Sequence, residues 1–343
     1  MSPFQTPSLL LFTYPESVVG RRLDWYLTLR RIPYVHCEVD NKMPRPVLER
    51  LGVHYRRIPV LAVGRDLYCD SRCIIQTMED LYPKTQRLGA DPKQRPFDAG
   101  IQKLLENWAF EGGVFMKTAM LISPDAKLVQ DPSWLEDRYQ LSGFRFSKEA
   151  MEQIRPDALA AARMHLDIVE NMLLGDGREW ISGGEEPGLA DVHVGWPFDW
   201  MLRDPEKMGM KHAYPELLNE QKYPKMFAWI DRLNRFMEEK RKEQGELKML
   251  SSDEAVKLIE NSSLFEHEEL DIVEWDPTGL KKGAEVDLFA TDVPNGFQNR
   301  DTGELIGLTA GRVTVKAKTK DGIDVRIHYP RINIKIAPST TGL

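Results

Sequence analysis

The chain of 343 residues has few of the features that mark disulfide-stapled, membrane-spanning or nucleic-acid-binding proteins. Its three cysteines, Cys37, Cys69 and Cys73, are an odd number without a Cys-x-x-Cys pair, which argues against a disulfide framework and a structural zinc site. No window approaches the roughly 20 apolar residues that a membrane span needs. The formal net charge is −7 with no long run of one sign, which disfavours a nucleic-acid surface.

Signals for secretion and for metal binding are also absent. The opening MSPFQTPSLLLF has no basic segment and only a short apolar run, so we expect no secretory signal peptide. Together with the unpaired cysteines this predicts a cytoplasmic protein. The histidines lack HExxH or comparable spacing, so no metal is expected. What is present is the composition of a soluble globular protein, 42% apolar and 29% charged, long enough for two or three domains.

Residues 1–84 alternate strand and helix patterns and predict an α/β domain. A three-residue connection between the third and fourth strands permits only antiparallel pairing. The predicted elements are, in order, strand Ser8–Tyr14, helix Ser17–Arg30, strand Tyr34–Val39, a short helix or loop over 42–54, strands Val60–Val63 and Leu67–Cys69, and helix Ser71–Leu81.

The rest of the chain divides into a helical part and a β part. After a polar linker at 85–100, residues 101–250 show helical periodicity and predict an all-α domain. Residues 251–279 predict a short helix and an acidic linker. In 280–343 apolar residues alternate with period two, and Asn295-Gly296 and Asp321-Gly322 supply turns. That pattern predicts a small antiparallel β module of four or five strands, barrel-like in form. Helices of the all-α domain are predicted from Ile101, over Lys148–Leu174, from near Leu189 and over Tyr223–Glu238.

The dipeptide Ile58-Pro59 stands directly before a predicted core strand. Proline has no N–H for a sheet ladder, so it belongs at a strand's first residue or at an edge. A trans bond opening an edge strand is one interpretation. A cis bond, which costs only about 0.5–1 kcal/mol for X–Pro, is the other. It would turn the Ile58 N–H and C=O out of the sheet, free to pair with an extended peptide-like ligand.

A second candidate site lies at the start of the next predicted helix. Ser71 falls where an N-cap would, and the free N–H groups of the first turn attract anions. Asp70 beside it could hold an ammonium group. A site that accepts both a carboxylate and an ammonium would recognise an amino-acid backbone. An ordinary N-cap explains the pair equally well when it is taken alone.

Together these features resemble a known family. The strand–helix–strand start, the segment Ile58-Pro59-Val60-Leu61 and the pair Asp70-Ser71 are similar to the N-terminal thioredoxin-like domain of cytosolic glutathione transferases. GLADVHVGWPF, residues 188–198, resembles the start of a buried helix in the family's all-helical C-terminal domain. Asp191 would there have a structural role, although Gly188 replaces the usual Ser or Thr. With its C-terminal β extension, the layout resembles a group of filamentous-fungal glutathione-transferase-like proteins.

The resemblance implies a glutathione site. In this family the main chain before a cis-proline, here Ile58 before Pro59, binds the cysteinyl part of glutathione. Asp70 and Ser71 would bind the γ-glutamyl end, and Arg57 would be a further contact. The resemblance also implies a homodimer with Arg72 and the helix 71–81 near the interface.

A glutathione transferase must stabilise the thiolate of its substrate. The pKa of a free thiol is about 8.5, and a hydroxyl at a helix N-terminus can lower it. The segment LFTYPESVVG offers Tyr14 and Ser17, which correspond to the tyrosine and serine types of the family. Ser17 is favoured because it is nearer the helix N-terminus; its alternative role is a plain N-cap. Relatives usually have Pro after this Ser, whereas Val18-Val19 follow here. No Cys stands at this position, which disfavours a Cys-centred thiol transferase.

The resemblance places the pocket for the second substrate between the first two domains. The aromatic and methionine side chains that line this pocket would be Trp108, Phe110, Phe115 and Met116. We therefore expect an enzyme that adds glutathione to a hydrophobic electrophile, or uses it to isomerise or eliminate from one. A fungal secondary metabolite would be one such electrophile. The alternative is a non-catalytic scaffold of the same fold, with weak or no glutathione binding.

Overall fold

The computed structural model describes residues 9–82, 87–203, 210–266 and 270–339. The predicted start at Ser8, the linker positions 85–86 and the last four residues of the β module lie outside this range. Within it, no helix combines the length and the apolar character that crossing a membrane requires.

The first domain has the predicted order of strands and helices. Strand β1 pairs parallel with β2 and antiparallel with β3, and β3 pairs antiparallel with β4, which confirms the crossover and the hairpin. Strands β1, β3 and β4 are buried along their whole length, which explains their nearly continuous apolar runs. The elements are β1 Leu9–Thr13, α1 Val18–Leu29, β2 Tyr34–Glu38, α2 Pro46–Arg50, β3 Val60–Val63, β4 Asp66–Cys69 and α3 Ser71–Leu81.

The second domain is helical, as predicted, with differences at its start and near its middle. Helix α4 begins at Pro96, within the stretch predicted as linker, because a proline at the first helical position presets the helical φ angle. Phe97 is 76% exposed, so the first turn of α4 lacks the apolar periodicity by which a buried helix is predicted. Helix α6 has no counterpart in the sequence prediction. The helices are α4 Pro96–Phe110, α5 Val114–Ala119, α6 Pro132–Ser142, α7 Lys148–Ile168, α8 Leu189–Arg203, α9 Met210–Ala213 and α10 Pro224–Gln244.

Asp191 in α8 is structural, as its motif predicts. It is fully buried, and its carboxylate accepts hydrogen bonds from the N–H groups of Ile181 at 2.8 Å and Gly188 at 3.0 Å. The indole N–H of Trp229 donates to it at 2.9 Å. Asp191 thus joins the start of α8 to α10 within the shared core of the first two domains.

The described C-terminal residues build five further strands onto the first domain. Strand β8 pairs parallel with β4, so the N-terminal sheet continues into the module and reaches nine strands over the described ranges, in the order β2-β1-β3-β4-β8-β7-β6-β5-β9. The elements are α11 Ser252–Glu260, β5 Glu285–Ala290, β6 Asp301–Leu308, β7 Arg312–Lys318, β8 Asp324–Pro330 and β9 Ile334–Pro338.

The module is curled rather than closed into a barrel. In the strand order, β8 and β9 lie four spacings apart, about 19 Å on a flat sheet. The chain from Pro330 to Ile334 reaches at most about 14 Å, so the sheet must bend to connect them. The described strands form no ladder between β8 and β9, because the outer edge of β8 is paired with β4. The barrel-like prediction is therefore correct for the curvature and wrong for the closure.

A buried polar network fixes the module to β4. The Nε2 of His328 lies 2.8 Å from an oxygen of Asp66, and its Nδ1 lies 2.9 Å from the hydroxyl of Thr314. Beside them Arg312 donates to both oxygens of Glu266 at 2.7 and 2.8 Å. The ligand-type atoms of Asp66, Glu266 and His328 lie within 4.8 Å of one another, a grouping that sequence spacing could not show. Since protein hydrogen bonds engage all three side chains, we interpret the cluster as a structural joint.

Candidate active site

Three chain segments meet at one end of the first sheet. Phe12 of β1 is aligned with Val60 of β3, and Val60 with Cys69 of β4. Strand β3 runs opposite to β1 and β4, so the end of β1, the start of β3 and the end of β4 lie together. The residues just beyond this row are Tyr14 and Ser17, then Ile58 and Pro59, then Asp70 and Ser71. The register therefore gathers the candidate residues beside the N-termini of α1 and α3.

The peptide bond between Ile58 and Pro59 is cis, as the family resemblance implies. Pro59 is buried and Ile58 is partly exposed. Among the described residues, no protein group forms a hydrogen bond with the amide or the carbonyl of Ile58. Both groups would be available to an extended ligand, which is the property that glutathione binding requires of this position.

Asp70, not Ser71, is the N-cap of α3. Its φ angle is 72°, and its carboxylate accepts the main-chain N–H of Arg72 at 2.9 Å. The Arg72 guanidinium folds back and donates to both carboxylate oxygens at 3.0 and 2.8 Å. Burial opposes ionisation of Asp70, but Arg72 outweighs it and the pKa of the carboxyl is lowered. The predicted ammonium site is therefore filled by a guanidinium of the same chain.

Ser71 is the first residue of α3 and sits on a buried charge network. The Nη1 of Arg22 donates to its hydroxyl oxygen at 2.7 Å. The Nη2 of Arg22 contacts Glu106 at 2.5 Å and the Nδ1 of His193 at 2.7 Å. Burial lowers the pKa of His193 to about 3, so this histidine is neutral at pH 7 and its Nδ1 accepts from Arg22. The network joins the start of α3 to helices α4 and α8, and no sequence motif predicts it.

Ser17 caps α1, as its alternative interpretation predicted. Its hydroxyl oxygen accepts the N–H of Gly20 at 3.0 Å, and its own O–H stays available to donate to a ligand. A Cβ at Gly20 would come within 2.2 Å of the Thr13 hydroxyl and 2.9 Å of the Ser17 hydroxyl, so only glycine fits. The Thr13 hydroxyl is buried without a partner in the described part of the chain. It is a third hydroxyl at this end of the sheet, and no motif in the sequence points to it.

Arginines line the segment that leads to the cis-proline. Arg56 donates to the carboxylate of Asp137 in α6 at 2.6 Å. Arg45 donates to the carbonyls of Asp40, at 2.9 Å, and of Arg56. Burial lowers the pKa of Arg45 to about 10. Arg57, predicted to contact glutathione, donates to Asp292 of the β module at 2.5 Å. Two of these three arginines are therefore paired with acids of other domains, Arg56 with Asp137 and Arg57 with Asp292.

The four predicted pocket residues differ in their surroundings. Phe110 packs between the guanidinium groups of Arg22 and Arg72, 5.1 and 5.0 Å from its ring centre. Phe115 packs on Trp196 and Trp200, and Trp108 on His165 and Phe198. Met116 is 49% exposed. Phe110 thus lies beside the predicted γ-glutamyl site, while Phe115 belongs mostly to the core.

Sequence comparison identifies the first domain. Residues 11–86 match the family described as glutathione S-transferase, N-terminal domain. The first domain is thus similar to the N-terminal domain of glutathione S-transferases. Residues 117–242, which cover most of the helical domain, match a domain of unknown function, DUF7962.

Similar proteins extend the likeness to glutathione transferases. Glutathione S-transferase U1 of Arabidopsis thaliana is 22% identical over 227 residues, which are 66% of this chain and 84% of that protein. A GST-like protein from Pseudomonas syringae superposes with a TM-score of 0.72 at 20% identity, over 98% of this chain and 100% of that one. The β-etherase LigF from Sphingobium sp. strain SYK-6 reaches a TM-score of 0.50 at 14% identity, over 68% of this chain and 100% of that one.

The structural likeness establishes the fold. Because the Pseudomonas syringae protein covers nearly the whole chain, a bacterial GST-like protein shares the overall architecture. The likeness to a fungal group stays a prediction, and so does homodimerisation. The helix expected near a dimer interface, α3, is approached by the module: Arg312 lies 3.5 Å from the hydroxyl of Thr77. Arg72 is only 5% exposed within a single chain.

Proposed function

We propose that the protein binds glutathione at the sheet end described above and uses it as a thiolate. The observation that carries the proposal is the unpaired main chain of Ile58, beside the N-termini of α1 and α3. Ile58 would pair with the cysteinyl part of the tripeptide. Ser71 and the first N–H groups of α3 would receive the γ-glutamyl carboxylate, where the helix dipole favours an anion.

The sulfur would lie near the N-terminus of α1. There the O–H of Ser17, or that of Tyr14, would donate a hydrogen bond to the thiolate. Lowering the thiol pKa by one to two units needs about 1.4–2.7 kcal/mol, which one hydrogen bond to a charged group together with a helix dipole can supply. The thiolate would add to a carbon of a hydrophobic electrophile. Addition followed by loss of glutathione would give isomerisation at the same site. Displacement of a leaving group of the substrate by the thiolate, followed by loss of the thiolate and of a proton from the neighbouring carbon, would give elimination.

Calorimetric titration with reduced glutathione tests the binding step, and the ultraviolet absorbance of the bound thiolate tests the activation step. Ser71→Ala should weaken binding. Ser17→Ala should leave binding nearly unchanged and return the thiol pKa towards about 8.5, with Tyr14→Phe as the matched control. A reversed pattern would assign the role to Tyr14. The proposal fails if the wild-type protein does not bind millimolar glutathione, or if neither variant moves the thiol pKa.

A non-catalytic scaffold is the second candidate. The observation that favours it is the pairing of Asp70 with Arg72, because this carboxylate can receive an ammonium group only if Arg72 moves away. Under this hypothesis neither retention on glutathione resin nor a rise in melting temperature with excess glutathione is expected. Retention that Asp70→Ala abolishes would reject it.

A further inference from the structure

The C-terminal β module reaches the candidate site through two loops. One follows β5, at residues 291–297, and the other is the turn at 331–333 before β9. The loops are tied together, since the N–H of Thr291 donates to the carbonyl of Asn333 at 2.9 Å and the Asn333 amide donates to Asp292 at 3.3 Å. Asn333 has a φ angle of 58°, a left-handed conformation that asparagine tolerates well.

The module holds the segment before Ile58 at two points. At the first, Asp301 at the start of β6 is fully buried and accepts the main-chain N–H groups of His54 and of Tyr55, the latter at 3.1 Å. At the second, Asp292 accepts from the Arg57 guanidinium at 2.5 Å. Arg57 directly precedes Ile58. The chain that presents the unpaired Ile58 main chain is therefore anchored by carboxylates of another part of the protein.

A second set of contacts leads from the β module to Asp70. The Asn333 amide donates to Glu111 at 2.9 Å, and the same Glu111 oxygen accepts from Arg72 at 2.6 Å. Arg72 in turn donates hydrogen bonds to both carboxylate oxygens of Asp70. Asn333, Glu111, Arg72 and Asp70 thus form a continuous chain of contacts from the module to the start of α3.

The two loops also touch the helical domain. The Asn295 amide donates to the carbonyl of Gln140 at the end of α6 at 2.9 Å. Pro294 packs beside Gly143, where an added Cβ would lie 3.4 Å from its ring. The loops of the β module thus contact the helical domain as well as the first domain.

We propose that the β module is a positioning element of the glutathione site, in which Asp292 sets the position of Arg57 and thereby the presentation of Ile58. This inference rests on the proposed function. Asp292 touches no part of the tripeptide in this arrangement; it acts through Arg57. Removing its charge should therefore weaken glutathione binding only while Arg57 is present.

The test is glutathione affinity measured by calorimetry in Asp292→Asn, Asp292→Glu, Arg57→Ala and the double variant D292N/R57A. The Asp292 and Arg57 side chains are 32% and 24% exposed, and a pair of this kind contributes up to about 1 kcal/mol. Asp292→Asn should therefore raise the dissociation constant about fivefold, and Asp292→Glu should restore much of the affinity. In the Arg57→Ala background the same change should have no effect.

The matched control is Asp324→Asn. Asp324 also forms an exposed ion pair on the module, with Lys316 at 3.0 Å, but it stands at the start of β8, opposite the site. This variant should bind glutathione like the wild type. All variants should melt within about 4 °C of the wild type, the shift that a loss of about 1 kcal/mol gives, which separates positioning from unfolding.

Each outcome decides between the two proposals. If the wild-type protein does not bind glutathione, the proposed function and this inference both fail. If it binds and Asp292→Asn binds equally well or more tightly, only the inference fails. It also fails if Asp292→Asn weakens binding equally in the Arg57→Ala background, because the aspartate would then act by another route.

Discussion

The buried charge network below Ser71 gives the sharpest prediction of stability. Glu106 is 3% exposed and lies 2.5 Å from Arg22, which is fully buried. Lys103 contacts the other oxygen of Glu106 at 2.5 Å. Burial opposes ionisation of Glu106, yet its pKa is lowered to about 2 by the cations around it, first by His193 and then by Arg22 and Lys103. At neutral pH these cations are Arg22 and Lys103, since His193 is then uncharged.

Glu106→Gln keeps the shape of the side chain and removes its charge. Arg22 would then be a buried guanidinium without a counter-ion, and breaking a buried ion pair in this way costs about 3–5 kcal/mol. Two unit charges about 4 Å apart at an effective dielectric constant of about 20 attract each other by a similar amount, ~4 kcal/mol. We therefore expect a loss of about 3–4 kcal/mol in the free energy of unfolding.

Urea unfolding followed by tryptophan fluorescence measures this loss, and the chain supplies eight tryptophans. With a slope of about 3 kcal/mol per molar urea, the midpoint should fall by roughly 1 M. Glu152→Gln, at an exposed position of α7, is the control and should change stability by less than about 0.5 kcal/mol. A loss below about 1 kcal/mol in Glu106→Gln would refute the reasoning.

The pH dependence of stability in the wild type and in Glu106→Gln gives a second test of this network. The folded-state pKa of Glu106, about 2, lies below its ordinary value of 4.5, so its contribution is fully present above pH 4.5 and is lost as the pH falls towards 2. The stability difference between wild type and Glu106→Gln should therefore be constant from pH 8 to about 5 and shrink below pH 4.5. A difference that does not shrink in acid would contradict the assignment of the charge to Glu106.

Two further predictions concern groups outside the site. Burial lowers the pKa of His328, so the unfolded chain takes up a proton before the folded protein does, and the free energy of unfolding should fall as the pH drops below 6.5. His328→Asn should reduce this fall, measured by urea titrations at pH 7.5 and at pH 5. An unchanged fall would contradict the prediction. Asp191→Ala should cost more than about 3 kcal/mol, because it leaves buried N–H groups and the Trp229 indole without an acceptor. The exposed Asp157→Ala serves as its control in the same assay, and a loss below about 1 kcal/mol for Asp191→Ala would refute its structural role.

Local features of the sequence predicted the first domain well. The apolar runs of β1 and β3 and the short turn before β4 confine the chain to a crossover followed by a hairpin, and the structure confirms both. The positions of Ile58, Pro59, Asp70 and Ser71 at one sheet end follow from the same strand order. The cis state of the Ile58–Pro59 bond, by contrast, came from the resemblance, because the dipeptide by itself fits either isomer.

Local sequence patterns did not predict the contacts between distant segments of the chain. Arg72 is predicted near a dimer interface, and within the chain its guanidinium contacts Asp70 and Glu111. Arg57 was expected to face glutathione, and it pairs with Asp292, 235 positions away. A charged side chain carries no local signal of its partner, since any acid that the fold brings within reach satisfies it equally well.

The sequence by itself determined the strands and the two long helices of the first domain, and so which candidate residues share one end of its sheet. Periodicity and turn residues are local, and strand order follows from them by short connections. Only the tertiary structure decided that the β module pairs with β4 and reaches the candidate site with Asp292 and Asn333. Edge pairing and buried ion pairs depend on which surfaces meet in space, a property that no stretch of neighbouring residues contains.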